Sequence, residues 1–430
     1  MKNQGIRITP TIIISCCLAG CLEMYDFIIF GFLASTLQKN YLSFLDENTG
    51  IMIAYLLFAV GFLFRPLGSI IFGYIGDVYG RKKAVVMSVS FMGASAVCMA
   101  CLPSYQTIGV LSCWLIVLIR IIQGISVGGE YSGVTIYAIE HTTKKNMGLI
   151  GSTIVAGGLL GVILATFVSR ILQYPNLPSY SWRFAFLLGF GLSIVGYFIR
   201  KRLGESPIFK KTKTDGIKIP LFYGLKKFKK QFCSAILLAG ANNANFYFLI
   251  VFLPGFLKEH TETALNFNTL LLTSIMLPLI PLAGWFSDKV GRLNILIGTC
   301  LIFAVYQPIL LPALMNTTSQ LVMYIHTFIC AVTLSLFVAS TNIFVLEIFP
   351  VNCRFSCGAL SYSIGTALFG GTAPFVCSFI IERYGANPSF LTSYISFMSI
   401  VGLLGVSLVY KDWTKNKKKE ENEIIVLQNS

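Results

Sequence analysis

Long apolar stretches, separated by short clusters of charge, run through nearly the whole chain. A stretch of about 20 apolar residues is the length of helix that crosses a bilayer. Only 12% of the 430 residues are charged and 55% are hydrophobic, whereas soluble domains carry about 25% charged residues. The alternative is a soluble core of uncharged helices, but such helices would have no polar face for water. Backbone groups in lipid must be hydrogen-bonded within their own segment, so the sequence predicts an all-α membrane protein.

Hydropathy predicts twelve membrane-spanning helices in two sets of six. The first six cover residues 11–36, 52–75, 84–103, 108–138, 148–172 and 182–199. The second six cover residues 232–257, 268–286, 294–314, 320–345, 357–381 and 388–410. This predicts an N-terminal bundle (1–199), a basic linker (200–231), a C-terminal bundle (232–410) and a polar tail (411–430).

Most of the 33 lysine and arginine residues fall on one side of this predicted topology, with the densest cluster between Arg200 and Lys230. Cytoplasmic loops carry such an excess, so we expect a multi-pass protein of a bacterial-type inner membrane with both termini in the cytoplasm. The net charge of +15 then sets orientation, and no nucleic-acid partner is expected. The expected partners are the lipid bilayer, a small-molecule substrate and protons, and we expect the protein to function as a monomer.

One polar loop occurs twice, at one constant spacing of about half the chain. Its residues Gly73, Asp77, Gly80 and Arg81 recur as Gly284, Asp288, Gly291 and Arg292. Two copies of one loop between apolar segments indicate two related halves.

Ionisable residues inside the predicted spans are the strongest functional signal, because a charge at the bilayer centre costs about 2.5–3.5 kcal/mol on insertion scales. Glu23 and Asp26 lie three residues apart in the first span and share a helix face. Arg120 and Glu130 of the fourth span are about 15 Å apart along a helix, so we expect Arg120 to pair with Glu23 or Asp26. The alternative is that both acids lie near one membrane surface and are wetted there.

Three acids are candidates for a proton-coupling site, since desolvation favours the neutral carboxyl group: Glu23, Asp26 and Glu130. Arg65 and Arg120 are candidates for binding a substrate carboxylate through the guanidinium fork, although a structural role is the alternative for Arg65. Further substrate-binding candidates are Tyr25, Gln123, Asn242, Asn245, Phe246, Tyr247 and Asn342. For any one polar residue among them, an ordinary interhelical hydrogen bond is the alternative.

Nothing in the sequence has the spacing of a catalytic or metal-binding motif. The three histidines, His141, His260 and His326, are scattered and form no HExxH pattern. Most of the twelve cysteines lie in apolar runs, where free cysteine behaves as a small hydrophobe. We therefore expect no enzyme, no metal site and no cofactor beyond a proton gradient.

Several segments resemble the metabolite:proton symporters of the major facilitator superfamily. Besides the two GxxxDxxGR loops, they are EMYDF, RPLGS, RIIQGISVGGE, SWRFAFLLG followed by GESPIF, and LEIFPVNCRFSCG with GGTAP. That group includes proline/betaine, α-ketoglutarate, citrate and shikimate transporters. The resemblance implies two six-helix bundles, related by a pseudo-two-fold axis, around a central cavity that opens to each side in turn.

The resemblance also implies a conformational latch at the loops. Asp77 would cap or pair at the cytoplasmic end of span 11, where a helix N-terminus favours a carboxylate, and Arg81 would bridge neighbouring helices. The implied latch residues are Asp77, Gly80, Arg81, Asp288, Gly291, Arg292, Glu347 and Arg354. Because Asn294 stands where the first loop has a third basic residue, we expect the second loop to form the weaker latch.

We therefore expect a secondary active transporter that imports a small polar metabolite by proton-coupled symport. A zwitterion such as proline or glycine betaine is favoured, because it needs one cation for its carboxylate and aromatic faces for its ammonium group. A di- or tricarboxylate such as α-ketoglutarate or citrate is the alternative, and would prefer more than two buried cations. An alternative of another class is a membrane sensor of the same fold that does not transport.

Overall fold

The computed structural model describes residues 10–79, 81–128, 134–135, 138, 142, 146–172, 174, 176–202, 220–260, 269–316, 319–385 and 387–428. Across these residues the regular structure is helical throughout, with no strand. Ten helices are long and apolar enough to cross a membrane, and the shorter apolar helices Val86–Cys101 and Leu111–Val127 lie at the two remaining predicted spans. The fold class predicted from hydropathy, an all-α membrane protein, is confirmed.

The helices of the first half follow the predicted order. Span 1 is Pro10–Phe32, continued by Ala34–Tyr41; span 2 is Glu47–Leu63 and Arg65–Tyr79; span 3 is Arg81–Cys101; span 4 is Leu111–Val127 in its described part; span 5 is Met147–Leu172; and span 6 is Arg183–Arg202. A short helix, Tyr105–Ile108, lies between spans 3 and 4.

The second half begins with a linker helix, Pro220–Lys227. Span 7 is Lys229–Tyr247, a π-helical turn at Phe248–Phe252, and Leu253–His260; span 8 is Thr269–Val290; span 9 is Arg292–Asn316; span 10 is Gln320–Glu347; span 11 is Val351–Gly365, a π-helical turn at Thr366–Gly370, and Ala373–Tyr384; and span 12 is Pro388–Gln428. The helix of span 12 thus continues past residue 410, where the predicted polar tail begins. The division of the chain into domains at these positions stays a prediction.

Span 2 is interrupted at Phe64 because Pro66 follows closely. Proline has no N–H to donate, and it disfavours helical geometry in the residue before it. The backbone N–H of Gly68 still donates to the Phe64 carbonyl (3.2 Å), so helical hydrogen bonding continues from the first piece of span 2 into the second. Glycine then allows span 4 to approach: a Cβ at Gly124 would lie 2.0 Å from the Gly61 carbonyl oxygen, and one at Gly68 would lie 2.0 Å from the Ile125 carbonyl oxygen. Backbones therefore touch here, as small residues in membrane helices permit.

The two halves meet along spans 5 and 8 and along spans 2 and 11. A Cβ at Gly148 of span 5 would lie 2.4 Å from the carbonyl oxygen of Gly284 in span 8. A Cβ at Gly371 in span 11 would lie 2.4 Å from the ring of Phe62 in span 2. These contacts hold the halves together around the space described next.

Candidate functional site

A cavity lies between the two halves. Its walls are Met24, Val155, Gly158, Leu159 and Val162 from the first half, and Asn242, Asn243, Phe246, Tyr247, Ile280, Val338, Asn342 and Tyr362 from the second. The volume within which the centre of a water molecule can lie is about 30 Å³. One water molecule needs about 10–15 Å³ of such volume. The cavity thus has room for about two waters, and it must widen to admit a solute the size of an amino acid.

The polar atoms of the cavity come from amides and hydroxyls, since none of these lining residues carries a charge. Asn243 is held in place: its amide nitrogen donates to the Ala239 carbonyl (2.8 Å) and to the Thr366 hydroxyl (3.1 Å), and its oxygen accepts from the Tyr362 hydroxyl (3.5 Å). Asn242 is 2% exposed, and its side-chain oxygen has no hydrogen-bond partner among the described residues. That oxygen is available to accept a hydrogen bond from a ligand.

Aromatic rings connect the cavity to the interior of the first half. The Tyr247 ring centroid lies 5.3 Å from that of Phe246, 5.0 Å from that of Phe62 and 5.8 Å from that of Phe58. Tyr247 and Phe246 are cavity residues, whereas Phe58 and Phe62 belong to span 2. These four rings form an aromatic layer that extends from the cavity wall to Phe62, whose ring centroid lies 4.5 Å from the Arg65 guanidinium.

Behind this layer, Glu23 and Arg65 form a buried ion pair, with 3.3 Å between the Glu23 Oε1 and Arg65 Nη2 atoms. The Arg65 guanidinium also lies 4.3 Å from the ring centroid of Phe27 and 4.5 Å from that of Phe62, within the range of cation–π attraction. The Glu23 side chain has no exposed surface, so it is not wetted at a membrane surface in this state.

Asp26 and Arg120 are joined through Gln123. The Gln123 amide donates to Asp26 Oδ2 (2.9 Å), and its oxygen accepts from Arg120 Nη1 (2.6 Å). Arg120 also donates to the carbonyls of Leu57 (3.2 Å) and Phe58 (3.0 Å). Arg120, which we expected to pair with Glu23 or Asp26, is therefore linked to Asp26 through Gln123, because the carbonyls of span 2 and the glutamine amide occupy the guanidinium.

The structure separates the predicted substrate residues into groups. Asn242, Phe246, Tyr247 and Asn342 line the cavity, whereas Arg65, Arg120 and Gln123 lie behind the aromatic layer. Tyr25 and Asn245 do not line it: the Tyr25 hydroxyl donates to the Ala185 carbonyl of span 6 (2.7 Å), and the Asn245 amide donates to the Ser399 hydroxyl of span 12 (3.2 Å).

Two cavity residues, Asn243 and Tyr362, were not among the predicted candidates. Asn243 follows the predicted candidate Asn242 on span 7, and this is the signal by which it could have been found, whereas Tyr362 is the one residue of span 11 among those that line the cavity. Glu130 and Gly80 lie outside the described residues, as do the side chains of Asp77 and Arg81.

The second loop makes a contact between the halves. Asp288, at the end of span 8, accepts hydrogen bonds from the backbone N–H groups of Gly148 (2.9 Å) and Leu149 (3.1 Å) in the first turn of span 5. Arg292 donates to Asp288 (2.7 Å) and also to Glu347 of span 10. A carboxylate at a helix N-terminus satisfies N–H groups that have no partner within the helix.

Two further residues of the predicted latch have local contacts. Gly291 has φ = 95°, a backbone conformation that favours glycine, and it allows the tight turn from span 8 to span 9. Arg354 donates from Nε to the Phe349 carbonyl (3.2 Å). The expectation that the second loop forms the weaker latch stays a prediction, because the first loop's side chains are not described.

Comparison with known proteins adds three relevant matches. A proline/betaine transporter of Escherichia coli (strain K12) is 28% identical over 411 residues, which cover 91% of this chain and 81% of that protein. A putative proline/betaine transporter of Staphylococcus aureus (strain COL) is 29% identical over 408 residues, covering 91% of this chain and 86% of that protein. Among solved structures, a proton:xylose symporter bound to 6-bromo-6-deoxy-D-glucose has a TM-score of 0.75 at 18% identity, covering 93% of this chain and 95% of that one.

The third match shows the likeness of fold, with the two halves packed around a central space. The family model of the Major Facilitator Superfamily matches residues 16–354, which is most of the chain and includes both copies of the polar loop. The protein is a multi-pass membrane protein that belongs to the Major Facilitator Superfamily.

Proposed function

We propose that the protein is a secondary active transporter that imports a small zwitterionic solute, such as proline or glycine betaine, together with protons. The relatives from Escherichia coli and Staphylococcus aureus carry the name proline/betaine transporter. A relative from Dickeya dadantii, 28% identical over 406 residues, is named for glycine betaine, proline, ectoine and pipecolic acid. The observation that carries the proposal is the cavity, which has three amide and three aromatic side chains and no charged lining residue.

Such a lining suits a ligand whose charges balance. A cationic ammonium group is attracted to aromatic faces, which Phe246, Tyr247 and Tyr362 supply. The amide groups of Asn242 and Asn342 supply hydrogen bonds for a carboxylate, and the unpartnered Asn242 oxygen suits the N–H of a secondary ammonium group. Burying an unpaired charge is costly, so a di- or tricarboxylate would need cations in the wall. This argues against α-ketoglutarate or citrate.

Asp26 is the favoured proton site. Its Oδ2 atom accepts from Gln123, while its Oδ1 atom has no hydrogen-bond partner among the described residues. A proton can therefore bind Oδ1 without breaking the link to Arg120. Glu23 is less suitable, because its charge balances that of Arg65, and Glu130 stays a further candidate.

The second loop supports alternating access in this proposal. The Asp288 carboxylate holds spans 5 and 8 together on one side of the cavity, and the Arg292–Glu347 pair joins spans 9 and 10 beside it. Charge clusters of this kind can break and re-form as two bodies rotate. Both termini and the basic linker would lie in the cytoplasm of a bacterial-type inner membrane. The protein would work as a monomer, with solute, protons and lipid as its partners and with no cofactor.

The test is uptake by purified protein in proteoliposomes, with labelled proline, glycine betaine, α-ketoglutarate, citrate and shikimate. An imposed proton gradient should drive accumulation of proline or betaine, and a protonophore should abolish it. The Asp26→Asn variant should lose gradient-driven accumulation, whereas Glu47→Gln, an exposed acid at the start of span 2, should retain it. Accumulation of citrate alone would overturn the substrate class. Binding without counterflow exchange would identify a sensor.

A further inference from the structure

One face of span 6 carries a line of small and polar residues that the solute cavity does not use. Gly189, Ser193, Gly196 and Arg200 follow one another at intervals of four, three and four residues, which places them on one side of a helix. This side packs against spans 1 and 3 in the interior of the first half. Two buried oxygen atoms lie at this face, one from Asp26 of span 1 and one from Ser193 of span 6.

The first of these atoms is Asp26 Oδ1. A Cβ at Gly189 would lie 2.5 Å from it, so the carboxyl group fits here only because residue 189 has no side chain. Asp26 has no exposed surface, and its Oδ1 has no hydrogen-bond partner among the described residues. The free oxygen therefore points at span 6, and the Asp26 side chain is not part of the cavity wall.

The second atom is the Ser193 hydroxyl oxygen, one helical turn further along. Ser193 is 4% exposed, and its oxygen also has no hydrogen-bond partner among the described residues. Gly93 of span 3 makes room for it, since a Cβ there would lie 3.0 Å from the Ser193 Cβ atom. A buried hydroxyl without a hydrogen-bond partner is destabilising, which favours a role for Ser193 in binding water or passing a proton.

Leu22 closes this line toward the linker end of span 6. A Cβ at Gly196 would lie 2.5 Å from the Leu22 Cδ1 atom and 3.5 Å from the Val89 Cγ2 atom. Beyond them Arg200 is buried at the end of the helix, 4% exposed. Leu22 and Val89 thus fill the line at this end in this state.

We propose that this face of span 6 is the route by which the Asp26 proton leaves toward the basic linker, separate from the solute cavity. The proposal rests on the proton coupling proposed above. Asp26 Oδ1–H donates its proton to a water molecule, and the Ser193 hydroxyl accepts one proton from water as it donates its own onward. One proton then leaves past a displaced Leu22 side chain, and Asp26 remains as a carboxylate.

The charged groups around Asp26 are consistent with this direction. Gln123 of span 4, which is itself bonded by Arg120, donates to the Asp26 Oδ2 atom, on the other side of the carboxyl group from span 6. The Glu23–Arg65 pair is internally balanced. Oδ1 is thus the oxygen free to exchange a proton, and span 6 is the element that it faces.

The test compares two glycines of span 6. Gly189→Ala places a methyl group against Asp26 Oδ1, whereas Gly191→Ala is a matched control, because a Cβ at Gly191 meets no atom within 4 Å. A pH dye inside proteoliposomes reports proton entry with proline or betaine, and counterflow reports solute exchange. Net uptake requires the carrier to release its proton in each cycle, whereas exchange does not. We expect Gly189→Ala to lower solute-driven proton entry at least tenfold, with counterflow within twofold of the Gly191→Ala value.

Two more variants keep the test decisive if Gly189→Ala fails to fold. Ser193→Ala removes the hydroxyl without adding bulk, and should lower proton entry several-fold with counterflow retained. Leu22→Ala opens the line, and should raise proton leak in the absence of solute several-fold. If the wild-type protein moves protons with solute but Ser193→Ala and Leu22→Ala match Gly191→Ala, the route is wrong and the proposed function stands. If the wild-type protein moves no protons, both are overturned.

Discussion

The contact between Asp288 and the first turn of span 5 should stabilise the state in which this side of the cavity is closed. The Asp288→Asn substitution keeps the size of the side chain and one acceptor oxygen but removes the charge. The Asp288 side chain is only 9% exposed, so solvent screens its interactions weakly. We expect the substitution to shift the conformational equilibrium toward separation of spans 5 and 8.

The magnitude follows from the two backbone hydrogen bonds at 2.9 and 3.1 Å. A hydrogen bond to a charged group contributes about 1.5–3 kcal/mol and a neutral one about 0.5–1.5 kcal/mol. The two N–H groups bind different oxygens of Asp288, so the asparagine oxygen keeps one bond, which loses about 1 kcal/mol, and the other bond, worth about 1.5–3 kcal/mol, is lost. The helix N-terminus adds a few tenths to about 1 kcal/mol for the charge itself. A total of about 3 kcal/mol corresponds to about a 150-fold change in the equilibrium constant.

The assay is a distance measurement by electron paramagnetic resonance. Spin labels at Asn146 and Val290, which are exposed near the contact on spans 5 and 8, report separation in a transport-active variant that lacks the twelve native cysteines. The longer distance should gain population in Asp288→Asn. Lys289→Gln is the matched control, because Lys289 lies over the Trp285 ring of its own helix (3.7 Å). A distance distribution in Asp288→Asn that matches those of the control and the parent protein would refute the latch.

Three further predictions concern the cavity, a helix cap and a helix crossing. Asn243→Ala should weaken solute binding by about 1–3 kcal/mol because it removes a buried hydrogen-bonded group, whereas Asn245→Ala should lower the melting temperature and leave the dissociation constant unchanged; calorimetry and thermal unfolding measure the two. The hydrogen bond from the Thr49 backbone N–H (3.0 Å) lowers the pKa of Asp46, so the cap stabilises the first turn of span 2 at neutral pH and is lost as the pH falls through that lowered pKa. The protection factor of this amide, which is its intrinsic exchange rate divided by its measured rate at the same pH, should fall at acid pH in the wild type and not in Asp46→Asn. Gly124→Ala should prevent correct folding, because its Cβ would lie 2.0 Å from a carbonyl oxygen of span 2, and loss of the monodisperse peak in detergent would show it.

The order of the helices could be predicted because hydropathy reports length and apolarity, and those properties decide whether a segment crosses lipid. Hydropathy could not predict the direction in which a polar residue of a span faces. Asn242 and Asn245 were both predicted to bind substrate, and their spacing of three residues places them on one helix face, yet the cavity lies on the side of Asn242 and Asn243. A helix turns by about 100° per residue, so one face of span 7 can present Asn242 with Asn245 or Asn242 with Asn243. Span 12 packs beside Asn245, and this position is what turns Asn245 away from the cavity.

The π-helical turns were also beyond prediction from hydropathy. At Phe248–Phe252 and Thr366–Gly370 the chain takes up more residues per turn than an α-helix, which rotates the residues that follow. All the residues involved are apolar or small, so the hydropathy profile is the same with or without the turn. Such turns are frequent at functional sites, and both lie directly beyond residues of the cavity wall.

The two halves divide the chemistry between them. The first half contains the buried charges, and the second supplies every polar side chain of the cavity wall. In the proposed mechanism, solute and proton therefore bind on opposite sides of the aromatic layer, and coupling has to cross it. Phe62 and Tyr247 are the shortest link, with ring centroids 5.0 Å apart and the Arg65 guanidinium 4.5 Å from Phe62.

This placement explains how a neutral cavity can respond to a charge that it does not contain. A solute packed against Tyr247 restricts the ring that contacts Phe62, and Phe62 in turn restricts Arg65. Breaking a buried ion pair by removing one partner costs about 3–5 kcal/mol, so any rotation of the halves that draws Phe62 away is opposed unless Arg65 and Glu23 move together. The buried pair thus ties the position of span 2 to that of span 1, where the Asp26 carboxyl group lies one turn beyond Glu23. In the proposed mechanism, solute binding and the protonation of Asp26 therefore act on the same two helices, which is the physical requirement for one to drive the other.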